Sequence, residues 1–242
     1  MTAQAEAQDL VHPDRKTIQS LFNAISPKYD FLNSFLSFGL HHYWRRKTVR
    51  LSLTGLEQSI LDVGAGTGKS LAAFLHHHQF QQAVGCDFSE SMLAKAKERL
   101  GPRAFLVAGD FQELPFPDGA FDLVTGSFIL RSVQNMPYFL SEVKRVLSPQ
   151  GKAVFLELTR PTNQFIWRYF YRPYLKFCIP SVGRILSKHD HAYQFLSQSV
   201  QAFVEPESLR NEFFLAGFNS VSVRPLTFGT ATLFEGKRAG SA

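Results

Sequence analysis

Two aspartates and three glycines set the chemistry open to this chain. Gly64, Gly66 and Gly68 occupy alternate positions directly after an apolar run carrying Asp62, and Asp87 stands nineteen residues beyond the last of them. Glycines in that pattern let the backbone take dihedrals closed to other residues and let a ligand approach where a Cβ would collide. A carboxylate at the end of the following strand is placed to accept both hydroxyls of a ribose. Asp62, Gly64, Gly66 and Asp87 therefore point to a nucleoside-binding geometry.

Two familiar nucleotide turns fail on register. The dinucleotide fingerprint G-x-G-x-x-G requires glycine at position 69, where Lys69 stands. The phosphate loop that ends in Gly-Lys-Ser requires glycine at position 63, where Val63 stands, so Gly68-Lys69-Ser70 is one residue out of step. The remaining pattern, Asp-x-Gly-x-Gly-x-Gly with a distal acid, resembles the S-adenosyl-L-methionine site of Rossmann-like methyltransferases. By that resemblance the methionine carboxylate and sulfonium lie over the Gly64–Gly68 backbone with help from Thr67. Asp87 holds the ribose, and Phe88 or Met92 flanks the adenine. Gly109-Asp110-Phe111 reads as the adenine edge, with Asp110 accepting from the exocyclic amine and Phe111 offering backbone, and Ser127 falls at the edge of the sheet where ligands gather. Plainer roles stand beside these: Asp87 as a helix cap, Asp110 as a turn acid, Ser127 as a strand-end serine.

Holding such a site takes a parallel sheet. Strand-like runs near 59–63, 83–87, 104–108, 121–126 and 152–158 alternate with helical runs near 69–78, 89–100 and 136–147. That alternation predicts βαβ units with helices on both faces. A helix over 207–216 ended by Gly217, then strands near 219–224 and 229–236, predicts a closing antiparallel pair. The expected fold is thus an α/β, Rossmann-like class I methyltransferase with a seven-stranded, mostly parallel sheet. Residues 1–14 read as a frayed start and 15–242 as one methyltransferase domain. Within it, 15–53 form a helical cap interrupted at Ser26-Pro27 and Ser37-Phe38-Gly39, and 160–205 form a helical insert.

Composition narrows the classes. With 242 residues, 45% hydrophobic and 19% charged, the chain can bury a sizeable core. Cys86 and Cys178 lie far apart in unlike segments, which argues against a disulfide scaffold and for a reducing cytoplasm. No secretory h-region and no run of the ~18 apolar residues needed for a span is present in the sequence. The net charge of +6 suits nucleic acid, an anionic membrane surface or an anionic small ligand.

With the segments placed, the chain resembles the ubiquinone/menaquinone biosynthesis C-methyltransferase family over about residues 18–238. The resemblance is carried by Lys28-Tyr29-Asp30 with Asn33, then Ser37-Phe38-Gly39-Leu40-His41 and Trp44-Arg45. It continues through Leu114-Pro115-Phe116-Pro117-Asp118, Ser127-Phe128-Ile129-Leu130-Arg131, Arg145-Val146-Leu147, Leu156-Glu157, Tyr193, Ser199 and Gly236-Lys237. Three departures stand out. Lys69 replaces the family's aspartate after the glycine turn, Ser132 replaces the asparagine after the arginine, and Ser148-Pro149-Gln150-Gly151 replaces a proline-glycine-glycine turn.

The resemblance implies methyl transfer from the sulfonium of S-adenosyl-L-methionine to a ring carbon of a polyprenylated quinol, demethylmenaquinol above all. A ring carbon becomes nucleophilic only when a neighbouring hydroxyl is deprotonated or nearly so, so the site must orient the ring and manage one proton. Tyr29, Arg131 and His189 or His191 are the candidates. An arginine after the fourth strand can stabilise a developing phenolate, although a salt-bridged role is the plain alternative. Histidine titrates near neutrality and suits a base, although Lys188-His189-Asp190-His191 also reads as a solvated loop. His76-His77-His78 lacks a cysteine or acid at ligand spacing and reads as a helix end; no metal is expected.

The insert has its own character. Seven of the thirteen residues from Phe165 to Phe177 are aromatic, and Arg168, Arg172 and Lys176 recur every four positions. That spacing lines the cations along one helical stripe. A basic amphipathic segment over 165–179 can lie in a bilayer surface, which fits a membrane-borne quinol and an enzyme at the inner face of the membrane; a lid on its own domain or a homodimer face is the alternative. Two other functions stay open. One is a methyltransferase of another lipophilic or polyketide acceptor, favoured by Ser132. The other is a donor-binding or RNA-binding protein without this activity; no recognised RNA-binding signature is present, so no nucleic-acid partner is expected.

Overall fold

Short apolar runs bounded by turn residues become the strands of a doubly wound sheet. The computed structural model describes residues 29–161, 163–178, 200 and 205–238. The sheet has seven strands: β1 (Ser59–Val63), β2 (Gln82–Asp87), β3 (Phe105–Ala108), β4 (Phe121–Ser127), β5 (Leu147–Leu158), β6 (Ser220–Leu226) and β7 (Ala231–Lys237). Their order is β3-β2-β1-β4-β5-β7-β6, parallel except for β7, which runs antiparallel to both β5 and β6. The order reverses at β1, so its carboxyl end and that of its neighbour β4 open a crevice. Residues 60–63 of β1 and 123–126 of β4 are buried, as expected of parallel strands covered on both faces.

Seven helices are described before, between and beyond the strands: α1 (Tyr29–Leu36), α2 (Leu40–Ser52), α3 (Lys69–His77), α4 (Glu90–Leu100), α5 (Met136–Val146), α6 (Gln164–Ile166) and α7 (Pro206–Leu215). Three begin at side-chain caps, Ser89, Asn135 and Asn163. Ser89 caps α4 by accepting from the Met92 amide, and Asn135 caps α5 by accepting from the Tyr138 amide. The predicted break at Ser37-Phe38-Gly39 separates α1 from α2, with Phe38 and Gly39 both at positive φ. The histidine triplet closes α3; the His78 ring bonds the Glu57 carbonyl at 2.6 Å.

Two elements differ from expectation. β5 starts at Leu147, five residues before the predicted 152, because Leu147 pairs with Phe121 ahead of a register shift between β4 and β5. The insert is wound as a π-helix over Trp167–Tyr171 and again over Tyr174–Cys178. His189, His191 and the rest of 179–199 lie outside the described residues, as do 1–28.

α2 packs on one face of the sheet through Val49, in a cluster with Ile60, Leu123 and Val154, and its first half reaches the carboxyl edge. Its Trp44 is 4% exposed, packs with Leu156, Leu226 and Ala231, and donates from Nε1 to the Thr227 hydroxyl at 2.8 Å. That anchoring carries Arg45, the next residue, to the mouth of the crevice.

Candidate active site

A cleft of about 450 Å³, counted out to solvent, opens at the crevice between β1 and β4. Gly64, Gly66, Asp87, Phe88, Met92, Phe111, Ser127 and Ser132 line it, joined by Phe128 and Ile129. The last two were missed at the level of sequence. Phe128 sits at φ 65, a left-handed conformation rare for a side chain of this size, and no local pattern announces it. Such strain persists only where surrounding packing holds it; here Trp44 lies 6.3 Å away centroid to centroid and the Arg45 guanidinium stacks at 5.3 Å.

The glycine turn has the shape a ligand needs. Gly64, Gly66 and Gly68 all take positive φ. A Cβ on Gly66 would meet nothing nearer than the Gly64 carbonyl at 4.0 Å, so the space above it is open. A Cβ on Gly64 would sit 2.5 Å from Ile129 Cγ2. Gly64→Ala should therefore combine left-handed strain with a collision inside the cleft, costing roughly 2–3 kcal/mol. Thermal unfolding and donor titration should both register that loss; unchanged values would mean the turn is plastic.

Asp87 is the pivot of the cleft. Its Oδ2 accepts from the Gly66 amide at 2.8 Å and its Oδ1 from the Ser89 amide at 2.9 Å, so one carboxylate fixes both the glycine turn and the start of α4. Burial raises its pKa, and the Ser89, Gly66 and Phe88 amides oppose the rise. Each oxygen has a further lone pair for a ribose hydroxyl. The contacts at the helix start and the place in the cleft lining, which belong to roles offered as alternatives from sequence, coexist in one side chain.

Asp62 lies beneath the turn, 1% exposed, and neither of its oxygens has a hydrogen-bond partner. Burial pushes its pKa up to about 7; the Arg45 charge and the Leu71 amide, which faces it outside hydrogen-bond geometry, pull the other way. A buried carboxylate without a donor is costly unless a ligand supplies one. An ammonium does so, and S-adenosyl-L-methionine carries one. The open backbone, the doubly anchored Asp87 and the orphaned Asp62 together fit that donor.

The other expected residues are placed less directly. The Thr67 hydroxyl donates to Asp30 Oδ1 at 2.8 Å, and Arg99 Nη2 meets Asp30 Oδ2 at 2.7 Å, so α1 is latched onto the turn. Asp110 accepts from the Gln112 amide at 2.9 Å at the β3 exit and is outside the lining, whereas Phe111 is in it, 6.3 Å from the Phe88 ring. Ser127 receives the Ser70 hydroxyl at 2.9 Å. Arg131 is outside the lining: its Nε donates to Glu157 Oε1 at 2.6 Å, with the two side chains 7% and 0% exposed. Tyr29 opens α1. Among the described residues no cluster of His, Cys, Asp and Glu with metal-binding geometry occurs.

Comparisons with known proteins agree with this geometry. The model of the ubiE/COQ5 methyltransferase family matches residues 10–238. A demethylmenaquinone methyltransferase of Chlamydia caviae is 35% identical over 222 residues, covering 91% of this chain and 96% of that protein. One from Thermus thermophilus is 39% identical over 221 residues, covering 90% and 100%. Among solved structures, a SAM-dependent methyltransferase from Thermotoga maritima superposes with a TM-score of 0.62 at 17% identity, covering 90% of this chain and 99% of that one. Phosphoethanolamine N-methyltransferase 2 of Haemonchus contortus, solved with S-adenosyl-L-methionine, superposes at 0.60 and 15% identity, covering 81% and 52%. Those two likenesses establish the Rossmann-like class I methyltransferase fold. The match to the family model over nearly the whole sequence establishes more: this chain belongs to the ubiE/COQ5 methyltransferase family.

Proposed function

We propose that this S-adenosyl-L-methionine-dependent methyltransferase transfers a methyl group to a ring carbon of a polyprenylated quinol, converting demethylmenaquinol to menaquinol. The observation that carries this reading is the coincidence of a donor-shaped cleft with 35–39% identity to demethylmenaquinone methyltransferases along nine tenths of the chain. When bound, the donor supplies an electrophilic methyl on a sulfonium. Asp87 binds its ribose, Phe88, Met92 and Phe111 enclose its adenine with Asp110 at the edge, and Asp62 binds its ammonium. Phe128, Ile129 and Ser132 form the acceptor side. These two apolar side chains exclude water from the ring, and the Ser132 hydroxyl is the polar group there for a quinol oxygen.

Proton handling is assigned to Tyr29 and His189, with Arg131, the third candidate, acting beside them. The ion pair with Glu157 changes what Arg131 offers. A guanidinium half-neutralised by a buried carboxylate sets the potential near Ser132 more than it contacts a phenolate, so its role is positioning. Incubation with methyl-labelled donor and three acceptors tests the reading. Label should enter reduced demethylmenaquinone, should enter a short-chain benzoquinol less, and should leave total RNA unlabelled. Labelled RNA with unlabelled quinol would reverse it.

The insert supports an approach to membrane-borne substrate. Trp167, Tyr171, Tyr174 and Leu175 turn inward; the Tyr174 hydroxyl bonds the Leu36 carbonyl and its ring lies 5.9 Å from Phe38. Phe165, Tyr169, Phe170 and Phe177 are each 61–62% exposed, interleaved with the exposed cations Arg168, Arg172 and Lys176. Rings that enter the headgroup boundary beside cations that bind anionic lipid make an interfacial surface, and no described helix is long and apolar enough to cross. Phe170→Ala/Phe177→Ala should cut co-sedimentation with anionic vesicles about tenfold, from roughly 0.7 kcal/mol lost per ring. Equal pelleting of variant and parent would remove the membrane contact. Both rings lie on the outer face, whereas Trp167 packs under Arg160 at 5.2 Å and would confound the result.

A further inference from the structure

The glycine end of the cleft must accept an α-amino acid. The methionyl arm of the donor ends in an ammonium and a carboxylate, and both lose hydration on entering. Asp62 answers the ammonium. The residue expected at the carboxylate, Thr67, has its hydroxyl on Asp30 at 2.8 Å, and Lys69, two residues on, faces the same aspartate at 3.4 Å. A different cation reaches this end from α2.

Arg45 arrives beside the turn from a segment far outside the nucleoside-binding unit. Its Nε donates to the Ser70 hydroxyl at 3.0 Å, in the first turn of α3, and Ser70 in turn donates to Ser127 at 2.9 Å. Its guanidinium carbon lies 5.3 Å from the centroid of the Phe128 ring. Ser127 and Phe128 both line the cleft. The Arg45 charge is also felt at the buried Asp62 carboxyl, whose pKa it lowers. Helix packing through Trp44, the ring beneath and the serine at its edge hold the guanidinium in one orientation.

We propose that Arg45 binds the carboxylate of the donor's methionyl arm while Asp62 binds its ammonium, so that α2 completes the donor site. A guanidinium and a carboxylate set side by side are the complement of an amino-acid zwitterion. A planar fork stacked on a ring is better suited to a carboxylate than a mobile lysine would be. The proposal rests on the reading of the cleft as a donor site and adds its amino-acid specificity.

Calorimetry on the full chain with two thioether ligands separates the cases. S-adenosylhomocysteine has the zwitterionic arm; 5′-methylthioadenosine has the same nucleoside and thioether without it. Arg45→Met should weaken S-adenosylhomocysteine on the order of 30-fold and leave 5′-methylthioadenosine within about twofold. Arg45→Lys should recover part of the loss, because it restores charge without the fork. Binding of 5′-methylthioadenosine doubles as the control that the variant is folded. Equal weakening of both ligands, or none of either, would overturn the assignment. A parent protein that binds neither ligand would instead overturn the donor-site reading on which it rests.

Discussion

Asp87→Ala should abolish donor binding at micromolar concentrations, a loss on the order of 1,000-fold. The carboxylate does two jobs whose losses compound. It is placed to accept two ribose hydroxyls through charged hydrogen bonds, each contributing about 1.5–3 kcal/mol. It also holds the Gly66 and Ser89 amides, so its removal leaves two backbone donors at the cleft without their acceptor and frees the glycine turn. Asp87→Asn should do nearly as badly, because an amide keeps one acceptor and turns a donor toward an N–H. Calorimetric titration with S-adenosylhomocysteine measures the first loss and thermal unfolding the second. A variant that binds within tenfold of the parent would place the ribose elsewhere.

Asp62→Asn should stabilise the protein while weakening donor binding, and the stabilisation should depend on pH. An unfolded aspartate titrates near 4 and the folded one near 7. Between those values the folded state holds a proton that the unfolded state has lost, so stability falls as pH rises. The cost is complete above about pH 7, on the order of 4 kcal/mol, and vanishes below about pH 4. Asparagine has no charge to bury. The variant should therefore melt several degrees above the parent at pH 8, with the margin shrinking steadily toward pH 5. Loss of the ammonium's counter-charge should raise the dissociation constant of S-adenosylhomocysteine ten- to a hundredfold at pH 7.5. A variant less stable than the parent at pH 8 would mean that Asp62 has a native partner and is not reserved for a ligand.

The same two aspartates mark how far the sequence could be read. Periodicity and glycine spacing are local signals, and what depends on them came through: the strand before the turn, Asp87 at the end of β2, the two aromatic residues of the cleft that follow β2 and β3, and the antiparallel closure by β7. Ser132, noticed only as a departure from the family pattern, proved to line the cleft. What the sequence did not show comes from contacts between distant segments. Thr67 reads as a ligand-binding hydroxyl until α1 brings Asp30 to it across 37 residues. Arg131 reads as a phenolate stabiliser or a salt-bridged arginine, and only the fold supplies the partner, Glu157 on the neighbouring strand. Arg45 belongs to the cap in sequence, yet in space it meets Ser70 and the cleft residue Phe128. In the insert the spacing shows an amphipathic segment, but not that Trp167, Tyr171, Tyr174 and Leu175 are the side turned inward, because the surface they meet comes from α1.

Tracing the transferred carbon tests the central claim most directly. The parent protein, incubated with reduced demethylmenaquinone and donor labelled with carbon-13 at the methyl, should yield a quinone whose label resonates as a methyl on a ring carbon. Asp87→Ala under the same conditions should yield none. Label appearing as a methyl ether, or only in water-soluble acceptors, would contradict a C-methyltransferase of quinols.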